Sequence, residues 1–425
     1  MAGATILMMR RAKPVSDHEP QIKHDRQGRS PMPRNQVYDV IVAGVGGMGS
    51  ATCWQLARRG KRVLGLERFD IPHAMGSSHG QNRIIRLAYF EHPSYVPLLR
   101  RAYELWRDAE YASGERLLFV TGGVDAGPED GRIIRGSLAS CREHGLTHET
   151  MDARELARRH PGWRLPSDHV AVVQPDAGFV ASERAIVTHV QLALAAGADI
   201  RAREPITGWE ITGAGTVRVT TTRGAYEAER LVLSTGAWIG DHVPALAATA
   251  VPERQVLGWF RPAEPEHFRL GRFPVGIVEG EKQAIYVFPE WGIPGFKIGV
   301  YNHFREYGHA DELSREPNDR DEALLREAVR AYFPGADGPI LSLRACLFTN
   351  TADEHFVIDA LPGAPQVIVA SPCSGHGFKF ASVVGDVLAD MASDAKPRLD
   401  LRLFAIDRPE LKPVGGAKAA PMPAE

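Results

Sequence analysis

The stretch Tyr38-Asp39-Val40-Ile41-Val42-Ala43-Gly44-Val45-Gly46-Gly47-Met48-Gly49 decides the fold. Its first half is a short apolar run rich in β-branched residues, the pattern of a strand buried on both faces. Its second half is a Gly-x-Gly-x-x-Gly run. The helical stretch behind it reaches Arg59, and Gly60 is placed to end it. Arg62-Val63-Leu64-Gly65-Leu66-Glu67 predicts a second strand. Tyr38 to Glu67 is 30 residues, the size of a βαβ crossover. Gly44 permits the tight turn, Gly46 lets the backbone approach a pyrophosphate, and Gly49 allows close helix–strand packing. The helix N-terminus turns unpaired N–H groups toward that diphosphate. Glu67 follows Gly44 by 23 positions, where a carboxylate accepts hydrogen bonds from ribose hydroxyls and repels a 2′-phosphate. In this context the run predicts a dinucleotide site rather than an ordinary tight βα turn. It does not separate NAD from FAD.

The rest of the 425 residues narrows the class. Lys+Arg is 50 and Asp+Glu is 52, a net charge of −2, so charge-driven binding to nucleic acid or membrane is not expected. With 44% apolar residues the chain is not disordered as a whole, and no apolar run approaches the ~18 residues of a membrane span. The cysteines Cys53, Cys141, Cys346 and Cys373 are irregularly spaced without a C-x-x-C. That argues against a disulfide framework or a metal site and for a cytoplasmic protein. Residues 1–36 mix charges and prolines around a short apolar stretch, Thr5–Met9, too short for a signal-peptide core. They are expected to form a disordered arm.

Along the chain, helices are predicted at 93–112, 182–196 (with Ser182 as N-cap), 319–333 and 378–392. Residues 117–180 read as turns and short strands. Strands are predicted at 217–223, 229–234, 255–260, 284–288, 296–301 and 366–370. Strand–helix units thus lie at both ends, with β-rich segments between. This pattern predicts a nucleotide domain built from 37–118, 181–250 and 340–405, with a mostly antiparallel domain of 119–180 and 251–339 inserted into it. Residues 406–425 are expected to be a mobile tail.

Further motifs are Gly76-Ser77-Ser78-His79-Gly80-Gln81-Asn82-Arg83-Ile84-Ile85-Arg86, Thr235-Gly236-Ala237-Trp238, Cys346 with Asp353-Glu354-His355-Phe356, and Ser374-Gly375-His376-Gly377-Phe378-Lys379. With the glycine turn, their order and spacing resemble the monomeric sarcosine oxidase and N-methyltryptophan oxidase family, among the amino-acid-oxidase-like FAD flavoproteins. The resemblance covers roughly residues 37–405. It implies a Rossmann-like FAD-binding domain of α/β type with an inserted, mostly antiparallel α+β substrate domain, and a monomer.

The resemblance also implies residue roles. Cys346 matches the cysteine that forms a thioether to the flavin 8-methyl carbon; otherwise a lone buried cysteine is an inert thiol. Arg86 and Lys379 match the pair that holds the substrate carboxylate, one a fork and one a point charge. Lys297 matches the lysine that promotes reaction of the reduced flavin with oxygen. Arg83 and His79 match positions along the flavin ring, Tyr286 a pocket tyrosine, and Thr349 a position beside the attachment site. Gly375 and Gly377 let the backbone approach the flavin around His376. The implied reaction oxidises the C–N bond of a secondary amino acid, with oxygen reduced to hydrogen peroxide. A cyclic imino acid of the pipecolate type, a bulkier N-alkyl amino acid, or an electron acceptor other than oxygen are alternatives. So are a flavin binder without turnover and an NAD-type dehydrogenase. Tyr301 stands where the sarcosine oxidases usually carry histidine, Ser78 where they tend to carry a second histidine, and Gln81-Asn82 where they tend to carry Asp-Thr. These departures leave the scaffold intact and the substrate open.

Overall fold

Alternation along the first strand builds the first sheet. In the computed structural model, which describes residues 37–414, Val40 and Val42 of the strand Tyr38–Ala43 face one side and Ile41 and Ala43 the other. All four are fully buried, and each larger side chain buried this way contributes ~1.5–3 kcal/mol. The Val40 side packs against helices Gly47–Ala57, Val96–Ser113, Ser182–Ala195 and Ala381–Ala392 through Leu56, Leu99, Ala185 and Leu388. The Ile41 side packs on Val217, Val219 and Leu246. Strands Asp199–Arg201, Val63–Leu66, Tyr38–Ala43, Gly224–Leu233 and Ala364–Ser371 lie side by side, all parallel. This is the expected α/β sheet, and its strands come from three separated stretches of chain. Ile206–Ile211 and Val217–Thr221 add an antiparallel meander at Gly224–Leu233.

The second sheet runs Ile340–Asn350, Val251–Phe260, Phe296–Val300, Ala284–Phe288, Val275–Glu279, Gly123–Pro128, His169–Gln174, Glu149–Asp152. It is antiparallel except where Val275–Glu279 meets Gly123–Pro128. One face packs on the helix Asp319–Tyr332, with Phe296 and Ile298 against Leu325 and Val329. Asn318 caps that helix by accepting from Arg320 N and Asp321 N. The opposite face carries Leu257, Trp259, Tyr286, Phe288 and Cys346. Lys297 lies between Phe296 and Ile298, so the two-residue repeat of the strand turns it to this second face. A small sheet of Asn82–Ile85, Gly178–Ala181 and Leu118–Val120 closes over that face through Ile84, Phe179 and Phe119.

Several expectations are corrected. Ile340–Asn350 pairs along Val251–Phe260 in the second sheet, not with the dinucleotide-binding strands. Residues 117–180 also hold the helices Arg132–His144 and Ala153–Arg159. Ser182 is the first residue of its helix, not the cap: the cap position is Ala181, and the Ser182 hydroxyl donates to Glu183 Oε2 at 2.7 Å. The start of the supposed mobile tail is packed. Arg408 donates to both oxygens of Asp353, at 2.7 and 3.1 Å, and Leu411 rests on the first-sheet core. The expected arm, 1–36, and residues 415–425 lie outside the described residues. Among the described residues no helix is long and apolar enough to cross a membrane.

Candidate active site

One elongated cavity lies between the two sheets, with about 2050 Å³ of empty space including its open mouth. At one end is the glycine turn. Gly44 N donates to Leu66 O at 2.8 Å, and Gly44 holds φ +87°, which a side chain rarely adopts. A Cβ at Gly49 would lie 1.8 Å from Gly44 O, so the helix seats on the turn only without one. Gly46 is different: a Cβ there would meet nothing nearer than Ser78 Oγ at 4.0 Å, so its backbone is open to the cavity. No side chain caps the helix that starts at Gly47, and its first N–H groups remain free for an anion. Glu67, buried, accepts from Val45 N at 2.8 Å and from Phe69 N at 3.0 Å. Each carboxylate oxygen retains a lone pair for a further donor. Thr235 also lines this cavity, with a buried hydroxyl that has no partner. An open glycine cradle, an uncapped helix start, an acceptor at Glu67 and an orphaned hydroxyl fit the diphosphate and ribose of FAD.

Further along, Cys346 lines the same cavity, and burial raises its thiol above the usual range against the pull of Arg83 and Lys297. Arg83 is pinned by donating to Asn82 O at 3.0 Å and to Ser77 O at 2.8 Å. Thr349 lines the wall, and its carbonyl accepts from Ser374 N at 2.8 Å, tying the Cys346 strand to the loop of Gly375, His376 and Gly377. Gly377 is obligatory here, since a Cβ would fall 2.0 Å from Pro372 O.

At the far end stand the two cations. Arg86 donates to Glu91 Oε2 at 2.8 Å and lies 3.5 Å from Asp125 Oδ1, all three buried. Burial disfavours its charge, but Glu91 and Asp125 outweigh that and hold it charged. Burial likewise opposes the charge on Glu91, yet Arg86, His376 and Lys379 keep its carboxyl below the usual range. Burial lifts the Asp125 carboxyl upward against Arg86 and Ser137. Lys379 is pushed down to about 7 by burial and by Arg86. Tyr286 and Tyr301 meet edge to face at 5.0 Å, and Phe348 lies 5.8 Å beyond Tyr301. These rings give this end of the cavity an aromatic wall.

Three expected residues do not border the cavity: Gly49, which seats the helix on the turn, Lys297 and His79. Lys297 is buried behind the 80–82 segment and donates to Gly80 O at 2.7 Å, Asn82 O at 2.8 Å and Asn82 Oδ1 at 2.7 Å. Burial and Arg83 push its pKa well down. His79 is buried with neither ring nitrogen paired, and burial with Arg83 lowers it to about 3. The remaining expected residues line the cavity. Sequence reasoning missed Glu91, Asp125, Tyr89 and Phe348. Glu91 carried a weak signal, an acid five positions after Arg86. Asp125 shows itself only as a charge inside the apolar strand Gly123–Pro128.

Residues 39–391 match the family described as DAO, FAD dependent oxidoreductase. The chain is 41% identical to the monomeric sarcosine oxidase of Streptomyces avermitilis over 373 residues, covering 86% of this chain and 96% of that protein. It is 33% identical to the N-methyl-L-tryptophan oxidase of Yersinia pestis over 378 residues, covering 87% and 99%. Among solved structures, the open form of NikD, an unusual amino acid oxidase essential for nikkomycin biosynthesis, aligns with a TM-score of 0.76 at 26% identity. That alignment covers 87% of this chain and 98% of the other.

Proposed function

The chain belongs to the DAO family of FAD-dependent oxidoreductases, and from that membership we propose that it oxidises the C–N bond of a secondary amino acid, N-methyl or N-alkyl, to an imine, with oxygen reduced to hydrogen peroxide. One observation carries the reading: a single cavity joins the glycine turn and Glu67 to the buried cations Arg86 and Lys379. Bound there, FAD supplies the two-electron acceptor and the route by which electrons reach oxygen.

The protein's own groups do the rest. Arg86 and Lys379 take the substrate carboxylate, and this fixes the carbon next to nitrogen at one place in the cavity. Tyr286, Tyr301 and Phe348 pack on the substrate and exclude water from it. Gly375, His376, Gly377, Thr349 and Arg83 are assigned to the flavin-ring end, His79 to the buried support behind it, and Cys346 to a thioether with the flavin. Lys297 sits behind this wall. Its three acceptors, Gly80 O, Asn82 O and Asn82 Oδ1, take all three N–H groups of an ammonium and oppose the effect of burial, and that charge favours negative charge developing on oxygen.

The aromatic wall favours a second reading on the same chemistry, a bulkier N-alkyl or a cyclic imino acid. A peroxide assay across sarcosine, N-methyltryptophan, pipecolate, proline and glycated amino acids separates the readings. Peroxide from an N-methyl amino acid supports the proposal, and peroxide from pipecolate alone favours the second reading. Bleaching of the flavin without peroxide points to another electron acceptor. A bound flavin that none of these compounds bleaches overturns it.

A further inference from the structure

Tyr89, fully buried, touches both cations of the proposed carboxylate site, and the role argued for it rests on that reading of Arg86 and Lys379. The Arg86 guanidinium lies over the Tyr89 ring, 4.6 Å from its centroid. Lys379 Nζ donates to the Tyr89 hydroxyl at 3.4 Å and to His376 O at 2.7 Å. The hydroxyl in turn lies 2.6 Å from His376 Nδ1.

The acceptors along this chain fix its proton positions. His376 Nε2 is 2.8 Å from the backbone oxygen of Glu354. A carbonyl oxygen only accepts, so Nε2 carries the proton. Burial lowers the His376 pKa to about 4, so the ring is neutral near pH 7 and Nδ1 is a bare acceptor. The Tyr89 O–H must therefore donate to Nδ1, which leaves the oxygen lone pairs facing Lys379. We propose that Tyr89 is the positioning residue of the carboxylate site, its ring setting Arg86 and its hydroxyl, oriented by His376, holding Lys379 as a charged donor.

The groups that act on Lys379 come from several elements. Arg86 opposes its charge, while Glu91 from the same loop and Asp125 from the strand Gly123–Pro128 favour it. His376, from its own turn, is neutral. Tyr301, from across the cavity, is held in its neutral form by burial. The Tyr89 hydroxyl adds a neutral acceptor, which favours the ammonium over the amine. Taking it away lowers the Lys379 pKa, so carboxylate binding is lost at a lower pH.

The test compares wild type, Tyr89→Phe and His376→Leu from about pH 6 to about pH 10, a span that brackets the shifted lysine. Acetate, a carboxylate that needs no turnover, is titrated by the change in flavin absorbance, and KM is measured for sarcosine and its methyl ester. In Tyr89→Phe the ring remains beneath Arg86. Acetate affinity is expected to fall about fivefold near pH 8, the worth of one modest hydrogen bond. Its alkaline limb moves to lower pH, KM for sarcosine rises in step, and kcat and the ester's KM stay near wild type. His376→Leu removes the acceptor that orients the hydroxyl. Because His376 also stands on the flavin loop, only the acetate limb is read from it, on protein matched to wild type in flavin content. A limb moved the same way by a smaller amount decides the matter if Tyr89→Phe does not fold. An unmoved limb, or an equal loss for acid and ester, overturns the role of Tyr89. If wild type itself binds no acetate and treats acid and ester alike, the carboxylate reading fails instead.

Discussion

Arg86 and Glu91 form a buried ion pair, 2.8 Å from guanidinium nitrogen to carboxylate oxygen. With Asp125 on its other side at 3.5 Å, Arg86 would meet the substrate carboxylate proposed for it with part of its charge already compensated. Glu91→Gln keeps an acceptor but removes that compensation. Because Glu91 also favours the charge on Lys379, the comparison is made at a pH low enough to keep that lysine protonated in the variant. There acetate affinity is expected to rise about fivefold, an amount set by roughly 1 kcal/mol of recovered attraction. Thermal stability is expected to fall by about 2 kcal/mol, because a buried charge loses a partner. Weaker acetate binding would show that Glu91 organises Arg86 rather than competing for it. Arg86→Gln, the complementary change, is expected to raise KM for acidic substrates about a hundredfold, the worth of a strong charge-assisted contact.

Lys297→Met tests the oxygen role. The half-reaction with oxygen is expected to slow at least about a hundredfold while flavin reduction changes little, as for loss of one preorganised charge. Equal losses in both half-reactions sink the assignment. The substitution also leaves Gly80 O, Asn82 O and Asn82 Oδ1 without their donor. A stability loss of about 2–3 kcal/mol by denaturant titration is therefore expected alongside.

Local pattern made the first sheet legible. The run Val40–Ala43 is apolar at every position because both faces are covered, and the glycines come after it at the spacing a pyrophosphate needs. Lys297 was legible too, as a charge inside an apolar strand, although not its position behind the cavity wall. That depends on the 80–82 segment, more than 200 residues away in sequence. Asp125 and Tyr89 were hidden for the same reason, since their partners come from distant elements. Ile340–Asn350 was misplaced because its eleven residues run from the far end of the second sheet to the cavity. Cys346 and Thr349 therefore line the same cavity as the glycine turn while their strand pairs elsewhere.

Cys346→Ser tests the thioether. Acid precipitation of wild type is expected to leave the yellow colour in the pellet, and the same treatment of the variant to release it. Colour released from both removes the attachment. Because burial raises the Cys346 thiol above its usual range, the nucleophilic thiolate is scarce at neutral pH. Raising the pH increases the thiolate fraction, so attachment of added FAD to apoprotein should speed up, about tenfold per unit while pH stays below the thiol pKa. A rate that is flat or falls with pH contradicts a thiolate attack.

Gly299 and Tyr286 face each other across neighbouring strands, and a Cβ at Gly299 would lie 2.2 Å from the Tyr286 ring. The ring cannot retreat freely, because Tyr301 meets it edge on at 5.0 Å and Phe288 at 6.4 Å. Gly299→Ala is therefore expected to push the Tyr286 ring into the cavity. Overpacking of this kind costs about 1–3 kcal/mol of stability, and KM should rise more for N-methyltryptophan than for sarcosine because the larger substrate needs the displaced space. Tyr286→Ala removes the obstacle. In that background Gly299→Ala should cost no stability beyond a few tenths of a kcal/mol, giving a coupling of about 1–3 kcal/mol between the two positions. Additive effects would mean that Tyr286 relaxes without crossing into the substrate end. The aromatic wall would then be a packing feature of the second sheet rather than the surface that sets substrate size.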